Sequence, residues 1–244
     1  AALLLVLSQE PIQANAIQVA NGVVNIAADG QCSLIEAINN ANDTASGLVH
    51  ADCAPGDRTG ADTIFLYGGS FELTEPDNST FGASGLPVIT SAITLQGDGA
   101  ILARPPGVEP FRILTVVNGN IVLDNVTVQG GRADPTTAVA NDYRGGGGIL
   151  GFSSTLVLNQ STVSGNSAPN DEGERGNGMG GGIASHSGEL TITDSVVQSN
   201  SSGVAGGGIY HVGDRLVIED SLVAENSSDY GGGLLFYDLS QGVI

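Results

Sequence analysis

Asp194 and Asp220 occupy the same place in two successive copies of a repeated segment. One copy reads Leu190-Thr-Ile-Thr-Asp-Ser-Val-Val-Gln-Ser-Asn and the next Leu216-Val-Ile-Glu-Asp-Ser-Leu-Val-Ala-Glu-Asn. If the copies are neighbouring strands, the two carboxyls stack about 5 Å apart, near the separation of a retaining glycosidase pair. Asp124 and Glu219 fall in the adjacent column. A plainer use of the same residues is conformational, because Asp and Asn are favoured where a strand turns. A shared cation is a third reading. Ca²⁺ with oxygen ligands fits best, although no spaced loop motif accompanies the pair.

A second set of candidates follows the glycine-rich steps of the repeat: Phe152, His186, Tyr210, His211, Phe236 and Tyr237. On one face of a stack of strands these rings could form a strip for sugar rings. Asp214 and Asp238 would then accept hydroxyl hydrogen bonds. The competing expectation is that half of them point inward and close the core, the commoner use of aromatic side chains.

The elements that would position these groups are legible in the repeat. Cores beginning at Ile121, Leu156, Leu190 and Leu216 are each followed by a Gly-Gly-Gly-aliphatic step ending at Ile149, Ile183, Ile209 and Leu234. Self-similarity at this period marks a solenoid. The spacing from Leu190 to Leu216 is 26 residues, and from Gly206 to Gly231 it is 25. The basic rung is therefore about 25 residues. Polar insertions at about 131–145 and 168–179 lengthen two rungs and should emerge on one side.

Alternation with a period of two points one set of columns inward. These are Ile121–Leu156–Leu190–Leu216, Leu123–Leu158–Ile192–Ile218 and Val128–Val163–Val197–Val223. Asn166, Asn200 and Asn226 form a further column able to bond amide to amide. Gly147, Gly181, Gly207 and Gly232 fit bends where no Cβ is tolerated. Upstream, short strands are expected at 63–67, 71–74, 93–96, 101–103 and 111–117. One further 26-residue step from Leu216 reaches Gly242, so the chain is read as stopping inside the opening strand of a fifth copy.

The N-terminal third differs. Ser33 and Glu36 form a capping box for one short helix at 33–42, whose apolar face can cover the open end of the solenoid. Residues 1–16, ending Ala14-Asn15-Ala16, read as the remnant of a secretory signal, with a core strand as the alternative. Cys32 and Cys53, 21 residues apart, are expected to form a disulfide once the protein is exported. Two unpaired buried thiols are the other reading. No further Cys or nearby His pair completes a metal site.

The bulk properties exclude several classes. The formal net charge is −19 and all seven basic residues are scattered arginines. A nucleic-acid partner would need a basic stripe, and none exists. No stretch approaches the ~20 apolar residues of a membrane span. Polyuronate lyases need a base and cations against the substrate carboxylate, which this composition scarcely supplies. The glycine runs are not phosphate loops, because no Gly-Lys-Ser/Thr follows them.

The stretch Cys32-Ser-Leu-Ile-Glu-Ala-Ile, with Ala51-Asp52-Cys53 and Asp62-Thr63-Ile64, resembles the CSLREA-type N-terminal domain of exported bacterial right-handed parallel β-helix proteins. The Gly-Gly-Gly-Ile and Val-x-x-Asn copies are similar to repeats of polymorphic outer-membrane proteins. Ile35 replaces the arginine of the CSLREA name, and valines stand where the outer-membrane repeats favour Phe. The resemblance implies export and a pectate-lyase-like fold, but no single activity. The expectation is thus an all-β, right-handed parallel β-helix with one N-terminal capping helix. It comprises a signal remnant (1–16), a cap (17–61) and a solenoid (62–244). Its expected role is structural and adhesive, secreted or at the cell surface, with a glycan or a host or surface protein as partner and no cofactor. A polysaccharide lyase or glycoside hydrolase is the alternative.

Overall fold

The computed structural model describes residues 15–46, 48–134, 145–170, 178–237 and 241–243. The first half holds β1 (Asn15–Gln18), α1 (Leu34–Asn42), β2 (Asp62–Phe65), β3 (Ser70–Glu72), β4 (Ala92–Ala103), β5 (Leu114–Val117) and β6 (Asn120–Gln129). There follow β7 (Ile149–Phe152), β8 (Thr155–Asn159), β9 (Thr162–Ser164), β10 (Ser167–Ala168), β11 (Ile183–His186), β12 (Glu189–Thr193) and β13 (Val196–Gln198). The last are β14 (Ser201–Ser202), β15 (Ile209–Val212), β16 (Arg215–Glu219), β17 (Leu222–Ala224), β18 (Leu234–Tyr237) and β19 (Gln241–Val243).

These strands pair in parallel, each with its equivalent one rung away, which is a parallel β-helix. The long sheet runs β1-β2-β4-β6-β8-β12-β16-β19, with β3, β9, β13 and β17 on its second arm. A five-stranded sheet, β5-β7-β11-β15-β18, closes the opposite side, and β10-β14 forms a short strip between them. The repeat columns hold in register: Leu156, Leu190 and Leu216 are direct partners, as are Leu158, Ile192 and Ile218. Val163, Val197 and Val223 follow suit. Leu216 pairs with Gly242, the step expected for a fifth copy.

Alternation explains the burial. Leu190 and Ile192 are 0% exposed while Thr191 and Thr193 between them are half-buried. The chain turns a corner at Asn125, Gln160, Asp194 and Asp220, which share a left-handed backbone, φ 47–53°. In β6 the strand continues through that corner; in later rungs it breaks there, into β8/β9, β12/β13 and β16/β17. The corner is stitched by serine: Ser161 N donates to Ser195 Oγ at 3.0 Å, and Ser195 N to Ser221 Oγ at 3.0 Å.

The asparagine column forms as a ladder. Asn166 Nδ2 donates to Asn200 Oδ1 at 3.0 Å and Asn200 Nδ2 to Asn226 Oδ1 at 3.0 Å. Where the first copy has Gly131 in place of asparagine, the backbone Gly131 N–H donates to Asn166 Oδ1 instead. In the first three glycine steps the second residue, Gly147, Gly181 or Gly207, admits no side chain, while at Gly232 a Cβ would meet only Asn226 O, at 3.0 Å. A Cβ on Gly181 would lie 2.2 Å from Ser201 O and 2.5 Å from Gly207 O.

The helix begins at its capping box: Glu36 N donates to Ser33 Oγ, and Ser33 N to Glu36 Oε2. Leu34, Ala37 and Ile38 are fully buried and join one core with Ile17 and Ile64 of the first rungs. Asn42 ties the helix C-terminus to the solenoid by accepting from Thr90 N. The Cys32–Cys53 disulfide is formed.

Three expectations need adjusting. Strand β1 begins at Asn15, inside the stretch assigned to a signal remnant, and pairs with β2. Ile17 and Val19 point into the core, so a rung precedes the cap helix. The strands expected at 93–96 and 101–103 are one strand, β4, with a register shift between Gln96 and Ala100. β5 starts at Leu114, because Phe111, Arg112 and Ile113 form a buried connection. Residues 1–14 and most of both insertions lie outside the described residues. Their roots, Ala133/Gly145 and Ala168/Gly178, occupy one corner, since Ala133 N bonds Ser167 O and Gly146 N bonds Met179 O.

Candidate ligand-binding face

Asp194 and Asp220 do stand at equivalent positions on successive rungs, with Asp194 N donating to Glu219 O. Both are exposed and both carry the left-handed corner conformation. The column holds Asn125 and Gln160 at the same corner and in the same backbone state. Conformation alone accounts for the residue types: an Asn or Asp tolerates positive φ better than most side chains. Asp124 has a structural partner, accepting from Asn159 Nδ2 at 3.0 Å. Among the described residues no group of three or more His, Cys, Asp or Glu side chains is placed to hold a metal ion.

The five-stranded sheet brings the aromatic candidates together. Its outward side carries two columns, Val117–Phe152–His186–Val212–Tyr237 and Thr115–Leu150–Ala184–Tyr210–Leu235, aligned strand by strand. Four of the six candidates form a continuous ring ladder across them. Centroids are 6.4 Å apart for Phe152–His186, 5.4 Å for His186–Tyr210 and 6.3 Å for Tyr210–Tyr237. Phe152 and Tyr210 are half-buried, His186 is buried, and Tyr237, on the last described rung, is 52% exposed, while Thr115, Leu150 and Ala184 of the second column are buried. Tilted and edge-on rings at this spacing are favourable aromatic pairs.

His211 is not part of that strip. It sits one residue from Tyr210, so alternation turns it inward, and it is 0% exposed. Its column runs Val116–Gly151–Ser185–His211–Phe236. Among the described residues neither His211 nitrogen finds a hydrogen-bond partner, nor does Ser185 Oγ beside it. Burial, reinforced by the charge of His186, pushes the His211 pKa down to about 4, with Asp214 pulling the other way. A neutral, enclosed imidazole cannot touch a ligand, so His211 leaves the set of binding candidates. Phe236 shares the inward column but is 42% exposed on the last rung.

Asp214 is exposed at the edge of the strip, where its N–H donates to Gly188 O on the rung before. That bond sets Asp214 beside Glu189, also exposed. Asp238 lies outside the described residues.

Burial also encloses polar groups outside the candidate set. Asp62, 1% exposed, accepts from Asp57 N through Oδ1 while Oδ2 has no partner. Burial and the nearby Asp57 charge raise its pKa to about 6, against the opposing Asp57 N–H bond. The serine ladder also escaped notice, although Ser161, Ser195 and Ser221 recur at the repeat spacing. A pocket at the cap, lined by Asn25, Ile26, Ile35, Glu75, Pro76 and Asp77, gathers none of the sequence candidates.

No family model, curated protein or solved structure matches this chain. The β-helix assignment therefore rests on its own strand pairing, and the reading of the site on its own geometry.

Proposed function

We propose that the chain is an extracytoplasmic β-helix module that binds a glycan through the outward face of its five-stranded sheet. The observation that carries this reading is the ladder Phe152–His186–Tyr210–Tyr237, whose rings follow one another from rung to rung and reach solvent at Tyr210 and Tyr237. The apolar C–H faces of pyranose rings stack on such rings, and a rigid parallel stack presents them without an ordering cost. A disulfide at the cap suits an oxidising compartment, as does the resemblance of the Cys32–Cys53 region to CSLREA-type exported proteins. Among the described residues no helix is long and apolar enough to cross a membrane.

The alternative, a polysaccharide lyase or hydrolase, leans on Asp194 and Asp220. It is weakened by their corner conformation, which explains them without chemistry. One experiment addresses both readings. Purified protein is titrated with immobilised neutral, acidic and basic glycans, and the same glycans are assayed for reducing-end or unsaturated-product release. The binding reading expects retention that Tyr210→Ala and Tyr237→Ala reduce, with no turnover. Reproducible turnover abolished by Asp194→Ala or Asp220→Ala would replace it with the enzymatic one.

A further inference from the structure

Resting on the glycan-binding reading, we infer that the face selects a glycan of amino sugars with free ammonium groups over neutral and uronic-acid polymers. The rungs that bear the exposed half of the ladder, residues 183–237, carry seven carboxylates: Glu189, Asp194, Asp214, Glu219, Asp220, Glu225 and Asp229. All seven are exposed, and the sole arginine of this stretch is Arg215. The sign of the field over these rungs is therefore fixed, in a chain of net charge −19.

The placement is local as well as general. Val212, the residue between Tyr210 and Tyr237 on the strip, is followed two positions later by Asp214. His186 is followed three positions later by Glu189. The Asp214 N–H to Gly188 O bond puts these two carboxylates on adjacent rungs at one edge of the ring ladder. Arg215 stands in register with Glu189. A pyranose stacked on Tyr210 or Tyr237 presents its ring substituents at the rim of the aromatic face. An ammonium there meets a carboxylate, and a uronate there is repelled. The aromatic rings add attraction for the same cation and none for an anion.

The test uses three hexasaccharides at pH 6 by calorimetry: a fully deacetylated glucosamine oligomer, its N-acetylated counterpart and a galacturonate oligomer. The glucosamine oligomer should bind tightest and galacturonate not at all. Raising salt from 20 to 300 mM should weaken glucosamine binding, because exposed charges are screened. The double variant Glu189→Gln/Asp214→Asn should weaken it about tenfold while leaving any N-acetylated binding unchanged. Tyr210→Ala and Tyr237→Ala, checked for unchanged melting, should reduce both. Equal affinity for the glucosamine and N-acetylated oligomers overturns the ammonium selectivity and leaves the strip intact. Glucosamine binding that survives both tyrosine variants is diffuse attraction to an acidic protein and also overturns it. Failure of all three oligomers, and of the immobilised glycans, overturns the glycan-binding reading itself.

Discussion

The long sheet and the five-stranded sheet are built on the same rungs by the same repeat, yet they use their two sides differently. Inside, the long sheet is aliphatic along its columns, as in Leu156–Leu190–Leu216 and Leu158–Ile192–Ile218. Outside it alternates threonine, valine, asparagine and carboxylate, an ordinary solvated surface. The five-stranded sheet keeps one aliphatic inner column, Ile149–Ile183–Ile209, but its second inner column contains Ser185 and His211, which have no hydrogen-bond partners among the described residues. Its outer side is apolar and aromatic. A solenoid is held by stacking its inner columns, and the difference shows that one sheet supplies the aliphatic stack while the other encloses polar groups.

Four perturbations test that contrast. The largest is expected from the long sheet's core. Leu190→Ala, at a position 0% exposed between Leu156 and Leu216, should cost about 3 kcal/mol in urea unfolding. A cost below about 1 kcal/mol would mean that the inward column does not carry the stack. Asn200→Ala should come next. It removes the acceptor used by both Asn166 N and Asn166 Nδ2, and the donor to Val163 O. A loss of about 2–3 kcal/mol is expected, since buried groups lose partners.

The third perturbation is pH at His211. The folded state holds its pKa near 4, below the ordinary 6.5, so the unfolded chain binds the extra proton. The stability this histidine contributes is complete above about pH 6.5 and should drain away as pH falls towards 4, by on the order of 2 kcal/mol. His211→Leu should flatten that slope in melts between pH 7 and 4. An unchanged slope would show that the histidine titrates in contact with water. The smallest effect is expected on the long sheet, at Asp62, and has the opposite sign. A pKa raised from 3.8 to about 6 means that the folded state favours the proton. Asp62→Asn should therefore raise stability at pH 7.5 by about 1 kcal/mol and add little at pH 4. A variant less stable at pH 7.5 would show that the carboxylate is paired.

Much of this was readable from residue types and spacing. The inward columns, the asparagine ladder, the glycine column, the capping box and the disulfide follow from local periodicity or from pairs whose chemistry needs each other. The facing of the aromatic residues was less plain. Tyr210, His211 and Val212 are consecutive, and each could fill a core. The signal was present in Ile209: it heads an inward aliphatic column, so a step of two sends His211 inward and Tyr210 outward. The serine ladder was hidden because serine is common in turns, and its role needs the neighbouring rung's N–H. The burial of Asp62 gave no signal, since it needs both the loop five residues before it and the distant strand β1.

The sequence by itself determined the rung, its length of about 25 residues and the side chains stacked within it, because side-chain direction along a strand depends on neighbours one and two residues away. It also determined the helix start and the cross-link. The tertiary structure decided which outward side chains meet. Ring contacts such as His186–Tyr210 join residues 24 positions apart whose approach depends on sheet register and corner geometry. It also decided which polar groups are enclosed. Asp62 and His211 have ordinary neighbours in the sequence, and their protonation is governed by the layers packed around them.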